Sequence, residues 1–552
     1  MRLLSRSPIV GLALLAALTT LPPPAAAQPG GLTVEATTPW SLPGWPVPVQ
    51  VLAYSVRDTV LDVEVSCDAV VARASIPVAA GARVRRTVLV PAQDPNSLGC
   101  APRVKWRTDD GDEGITSGTL AHNELDVVLV GPHPAAFIAE EWRLAEVPAT
   151  SLPDRWQGFP LEATFVIGAD ADAALTDAQR AALATWSRAG GRLLLLGLGE
   201  RRSRWDALGA VPTRVTVSGY GEAVRDFVDE PRVDEPTPWN HRVPGTETVP
   251  VGGFLLVALA FAILAGPVNL WWVIKRRNQR GLFLLTTPLL SVVACGVLIG
   301  YNLLSEGLGV RRAAVQLTWL DGAHHSAVSF TGVTFFAGTG VGDFSVAPEV
   351  LVRPLTQLDE LPGEPFADAV HPREVRWIDT AQELGGEWIP TRVNRQLTFV
   401  SPAPDRRRLT LTRTASGYEV VNGLDVGIRA VWWFDQAGRA WTGADIAAGH
   451  SGALREAPAA PPGDAPVREG VAPPNRALAA LPGGVPFGRL GPGSARVWQR
   501  AAAPGHFAAE LERPLSPIPG PAASDEAPLE AWVVGPLTAG APPPAPDVEV
   551  AP

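Results

Sequence analysis

Cysteine is the scarcest reactive side chain in this sequence: three occur in 552 residues, at 67, 100 and 295, and none lies between the last two. Lysine is scarce beside arginine, and no dense basic cluster occurs outside residues 275–280. With a formal net charge of -10, the chain lacks the basic face a nucleic acid needs, which argues against that partner. Binding of anionic lipid beyond the 275–280 cluster is equally without support. Adjacent histidines occur only at His324-His325, without a third ligand at a workable spacing. The pair therefore reads as strand-edge polarity; no metal and no other cofactor is implied.

Charge is missing altogether from two long apolar runs. Gly252–Ile274 holds no charged residue over 23 positions and Leu282–Tyr301 none over 20. About 20 apolar residues at 1.5 Å rise cover a hydrocarbon core of roughly 30 Å. Neither run shows the one-sided stripe of a half-buried helix, although two buried helices of a soluble protein stay the alternative. The predicted elements are two transmembrane helices, 252–274 and 282–304. The loop between them, 275–281, carries Lys275, Arg276, Arg277 and Arg280 and belongs on the cytoplasmic side. Everything before and after the hairpin is then outside.

Gly266-Pro267 is expected to loosen or kink the first helix, and Trp271 and Trp272 suit the interfacial aromatic belt. Asn269 is positioned to hydrogen-bond across the pair. Gly296 and Gly300 give the G-x-x-x-G spacing that lets another helix approach closely. At the N-terminus, Arg2 and Arg6 precede the short apolar run Pro8–Leu21 and then small residues, the pattern of a secretory signal cut after Ala27. An uncleaved anchor is the alternative.

Cys67 and Cys100 both fall in the exported part, where an oxidising compartment favours a disulfide; two separately buried thiols are the other reading. Cys295 is a packing residue of the second helix. Residues 28–122 contain short β-rich runs, among them Val47–Ala53, Val60–Val65 and Val84–Val90, broken by turn residues. That spacing implies an immunoglobulin-like β-sandwich. Residues 305–456 repeat the pattern as a second β-rich outer domain. Residues 457–537 form a Pro/Ala/Gly-rich linker with possible extra strands, and 538–552 a disordered tail.

Between these regions, over 123–235, the rhythm changes to strand, helix, strand, with 236–251 as a linker to the apolar helices. Leu125–Val130 and Leu161–Gly168 are continuous apolar runs suited to buried parallel strands. Thr176–Ala189 is an amphipathic helix with Thr176 as N-cap and Gly190-Gly191 as its stop, and Arg192–Leu198 is a third strand. The fold class expected is therefore a multidomain membrane protein: an N-terminal β-sandwich, an α/β flavodoxin-like domain, two transmembrane helices and a C-terminal β-rich domain.

The run Leu152-Pro153-Asp154-Arg155-Trp156, the strand at 161–168 and Leu175–Leu198 together resemble the class I glutamine-amidotransferase-like fold. More narrowly, with Gly266-Pro267-Val268-Asn269 and Thr287-Pro288-Leu289, they resemble bacterial envelope proteins of uncharacterised function. In those proteins a degenerate domain of this kind precedes a membrane hairpin. The resemblance covers about 125 to 305. An amidotransferase of this fold uses a Cys nucleophile at a strand-to-helix elbow, and the cysteine-free interval removes it. No G-x-S-x-G replaces it, and Ser187 falls mid-helix.

His133, Asp170 and Asp172 follow the first two parallel strands, at the edge where ligands approach such sheets, and are the candidate ligand-binding residues. No catalytic residue is assigned. The function expected is a non-catalytic envelope protein of the bacterial inner membrane, with both flanking regions extracytoplasmic and a protein partner or ligand bound at the outer face. A hydrolase or amidase with an unrecognised nucleophile, and an accessory subunit of a transport or export complex, are the alternatives.

Overall fold

The computed structural model describes residues 31–91, 100–131, 143–215, 251–275, 282–355, 373–457 and 490–539, apart from a few positions within these ranges, together with Val243. Strands make up 48% of the described residues and helices 22%, and the strands form four sheets. This corrects the expected fold class.

Two of the sheets face each other as a sandwich. The first is ordered Arg83–Val90, Val47–Ser55, Leu32–Thr38, Thr119–Leu120. Inward residues such as Val49, Val51, Val63 and Val65 alternate along the strands and meet in one buried cluster. Cys67 and Cys100 are joined by a disulfide at this core, with Cα atoms 5.8 Å apart. The second sheet has seven strands, and three of them come from beyond the apolar helices, between residues 344 and 385. Phe344–Val346, Ala381–Gly385 and Arg373–Ile378 extend it past Val70–Val78, with Arg373 to Arg376 pairing in parallel with Val70 to Arg73.

The third sheet is five-stranded and all parallel, in the order Leu144–Val147, Val127–Val130, Thr164–Gly168, Arg192–Leu196, Thr213–Val215. Helix Asp177–Arg188 starts with a capping box: the Gln179 amide donates to Thr176 Oγ1 and the Thr176 amide to Gln179 Oε1. It ends where Gly190 takes φ of 92° and the Gly191 amide reaches back to the Trp186 carbonyl. Glycine is required at 190 twice over, because a Cβ there lies 2.7 Å from the carbonyl oxygen of Gly493.

These parallel strands do not own their core. Val128, Phe165, Ile167, Leu193 and Leu195 share one buried cluster with Val315, Leu317, Phe330, Trp532 and Val534 of the C-terminal region. A flavodoxin-like domain covers both sheet faces with its own helices. Here long apolar runs signal burial, as expected, but one face is buried against residues more than a hundred positions away. That is the physical reason the flavodoxin-like reading is overturned.

The fourth sheet has thirteen strands, of which Val310–Asp321 and Ser326–Ala337 form its longest hairpin. Its far end curls back: Thr538–Ala539, which pairs with Arg408–Thr414, follows Glu530–Pro536 after a single residue. The strands between them close around a second core built on Val431, Trp433, Phe507, Leu511 and Val533. Helix Pro492–Ala501 bolts this part to the parallel strands, Arg496 Nη1 donating to the carbonyls of Leu161 and Gly190 at 2.7 Å each.

The apolar helices stand apart from these cores. Gly252–Trp272 is the one helix, among the described residues, long and apolar enough to cross a membrane. In the second helix, Leu282–Glu306, the described apolar stretch is the shorter Leu285–Tyr301. The expected two-span region is corrected accordingly. Backbone around Pro267 widens into a π-helical turn, Leu264–Val268, where proline offers no amide.

Candidate functional site

Of the residues singled out at the ends of the parallel strands, Asp170 and Asp172 are described. His133 lies outside the described residues. Asp170 is exposed on the short helix Ala169–Ala174. Asp172, on the same helix, is buried, and its Oδ1 accepts from Arg180 Nε at 3.2 Å and from the Trp205 indole at 3.0 Å. Arg180, itself buried, also donates to the carbonyls of Asp172 and Leu175. The carboxylate and guanidinium serve to hold the helix against Asp177–Arg188. Ser187 donates its hydroxyl to the Ala184 carbonyl within its own helix.

Between the apolar helices, Asn269 is buried and bonded on both sides of its amide: Nδ2 donates to Thr287 Oγ1 at 3.2 Å, and Thr286 Oγ1 donates to Oδ1 at 2.9 Å. Gly296 and Gly300 face open space, where an added Cβ meets nothing within 4 Å. The glycine that permits close helix approach is Gly253, whose Cβ would stand 2.7 Å from the Tyr301 hydroxyl. His324 sits in the tight hairpin after Asp321, with Nδ1 2.7 Å from Asp321 Oδ2. Among the described residues no group of three or more His, Cys, Asp or Glu is placed to hold a metal.

A concave site does occur where three chain segments meet. The cleft, of about 20 Å³, is walled by Leu89 and Pro91 of the sandwich, Gln157, Val350, Trp377 and Trp388. Its polar atoms are spent on backbone carbonyls. The Trp377 indole donates to Leu89 at 2.8 Å and the Trp388 indole to Glu374 at 3.1 Å. Gln157 donates to Pro348 at 2.8 Å, and Gln382 to Ala347, Pro348 and Val350 at 2.6–3.1 Å. What is left facing the space is apolar.

The walls are held rigidly. Trp156 donates to the Glu349 carbonyl, and buried Arg353 donates Nε to the Gly44 carbonyl at 2.7 Å while its guanidinium covers the Trp45 ring at 3.8 Å. Burial lowers the Arg353 pKa to about 10, with Glu162 opposing.

Beside the cleft, the Arg155 guanidinium stacks on Trp377, 4.6 Å from the ring centre. Burial, together with the neighbouring charge of Arg86, holds its pKa below the ordinary arginine value against the pull of Asp154 and Asp379. It makes no hydrogen bond among the described residues. Sequence reasoning missed this site because its walls come from residues 46–91, Gln157 and residues 350–388. The Trp377 strand was legible, but nothing in its neighbours names Leu89 as its partner.

No family model matches the chain, and no curated protein matches it. Among solved structures it is similar to the yeast delta-COP-I mu-homology domain complexed with a Dsl1 WxWxV peptide. The similarity is 12% in identity with a TM-score of 0.17, over 42% of this chain and 96% of that one. A likeness at that score carries no argument about fold or function.

Proposed function

We propose that the chain is a membrane-anchored, non-catalytic binding protein of the bacterial envelope, whose β-rich body holds a partner at the outer face of the inner membrane. The observation that carries this reading is the seam between the sandwich and the strands 350–388, where half-buried Arg155 stacks on Trp377 with its guanidinium making no hydrogen bond among the described residues. A cation placed there can receive an acidic group of a partner.

Two further features support it. Large apolar side chains left exposed to solvent concentrate on the helices 252–272 and 285–301, for example Leu256 at 70%, Leu285 at 70% and Val292 at 69% exposure. Patches of that size mark an apolar surrounding. The disulfide suits an oxidising compartment. The reading is tested by affinity purification of the full-length protein from its native membrane in mild detergent. A stoichiometric envelope partner, reduced in yield by Arg155→Gln, is the expected result. A partnerless protein that hydrolyses amide or ester substrates overturns it.

A further inference from the structure

We infer that the corner of the body next to the apolar helices lies on the outer surface of the bilayer, with Leu308 and Val393 set among the lipid headgroups. The inference rests on the membrane-anchored reading above and gives one defined patch a lipid surface as its partner. Connection length comes first. Only residues 307–309 separate the helix Leu282–Glu306 from the strand Val310–Asp321. At about 3.5 Å per residue, the strand starts within roughly 14 Å of the helix end. Near that end Tyr301 packs where the helix Gly252–Trp272 begins, since a Cβ on Gly253 would stand 2.7 Å from its hydroxyl. The exit is therefore level with the start of the apolar helix. Ahead of that helix, Val243 is already buried with Ala313 and Phe336, which belong to the hairpin Val310–Ala337. Both connections converge on the open end of this hairpin, where Val310 pairs with Ala337.

Three loops are tied together at this corner. Thr339 Oγ1 donates to the Leu308 carbonyl at 2.9 Å, and the Gly338 amide to the Gly309 carbonyl at 3.1 Å. The Arg392 amide donates to the Ala337 carbonyl at 2.7 Å. Outward, these loops present two apolar side chains, Leu308 at 59% and Val393 at 45% exposure. Single exposed apolar residues are common on protein surfaces. Position singles these out, because loops so close to the helix exit meet the headgroup layer. Arg392, exposed beside Val393, takes φ of 60°, a left-handed backbone uncommon outside glycine. Its apolar stem and charged head suit an interface where the guanidinium reaches lipid phosphate. Asp525 and Glu526 run beside Arg311 and Arg312 in parallel register, so the corner carries both signs of charge. Apolar contact therefore carries the docking, and a zwitterionic bilayer suffices.

The test uses the full-length protein carrying Cys295→Ala, reconstituted in phosphatidylcholine nanodiscs and labelled with a fluorophore at one introduced cysteine at a time. The lipid carries a nitroxide quencher on the headgroup or midway along the acyl chain. Leu308→Cys and Val393→Cys are compared with Leu259→Cys, exposed on the helix Gly252–Trp272, and with Arg413→Cys on the distant curled sheet. Headgroup quenching at 308 and 393 should exceed that at 413 by about threefold or more, and 259 should respond chiefly to the acyl-chain quencher. With the label at exposed Thr339 instead, Val393→Asp should reduce headgroup quenching by about twofold, which a label burying itself would not produce. Quenching at 308 and 393 no greater than at 413, or indifference to Val393→Asp, overturns the inference. If that happens while 259 is still quenched, only the docked posture is wrong; if 259 is unquenched as well, the membrane reading falls too.

Discussion

Arg73 and Glu374, 301 positions apart in the chain, form an ion pair at 2.8 Å. They sit where the strand Arg373–Ile378 joins the edge of Val70–Val78. Both side chains are more than a third exposed, so the pair itself contributes no more than about 1 kcal/mol. The seam is carried by the parallel backbone ladder beneath it and by Trp377 packing on the sandwich core.

The N-terminal sandwich therefore depends on a borrowed strand. Residues 28–122 produced alone expose the Val70–Val78 edge with its unpaired backbone groups. Size-exclusion chromatography with light scattering should find oligomers. A stable monomer would mean the borrowed strands are dispensable.

Arg180→Met leaves the Asp172 carboxylate buried without its counter-charge. Stability measured by denaturant unfolding should fall by about 3–5 kcal/mol. The double variant Asp172→Leu/Arg180→Met should be less destabilised than the single, because no buried charge is stranded. A catalytic role for Asp172 would instead show as lost activity with unchanged stability.

Gly253 and Gly296 should behave oppositely. Gly253→Leu drives a side chain into Tyr301 and separates the apolar helices, whereas Gly296→Leu enters open space. Disulfide cross-linking between cysteines placed on the two helices should drop for the first and hold for the second. Asn269→Leu should lower it mildly, by the roughly 0.6–2 kcal/mol that such interhelical bonds contribute.

His506, packed 5.8 Å from the Trp319 ring, has its pKa pushed below the ordinary 6.5, chiefly by burial. The unfolded chain then takes up the proton first as pH falls. Its contribution to stability is complete above about 6.5 and is lost on acidification through the folded-state value. His506→Asn should flatten the acid limb of a plot of thermal midpoint against pH. An unchanged slope would place the sensitivity elsewhere.

Local chemistry was legible in the sequence where one residue's neighbours in the chain decide its conformation. The N-cap at Thr176, the glycine stop at Gly190 and the β-rich run Val47–Ala53 are of that kind. Long-range pairing was not. The apolar runs at 125–130 and 161–168 announce burial, but periodicity cannot say that Phe165 meets Phe330 in one cluster. Nor can it say that Val375 pairs with Ala72. Reading domains in chain order then turned a shared core into a separate α/β domain. Asp172 shows the same limit: its position after a strand suggested a ligand site, and only the fold reveals Arg180 and Trp205 on its oxygen.

Placement of a partner at the seam is tested most directly by site-specific photo-crosslinking in the native membrane. A photoreactive side chain at Asp379, exposed and close enough to act on Arg155, is compared with one at exposed Arg413 on the distant curled sheet. A discrete partner band at 379, absent at 413 and diminished by Arg155→Gln, is the expected result. No band at 379, or equal bands at both positions, would contradict a binding role for the seam.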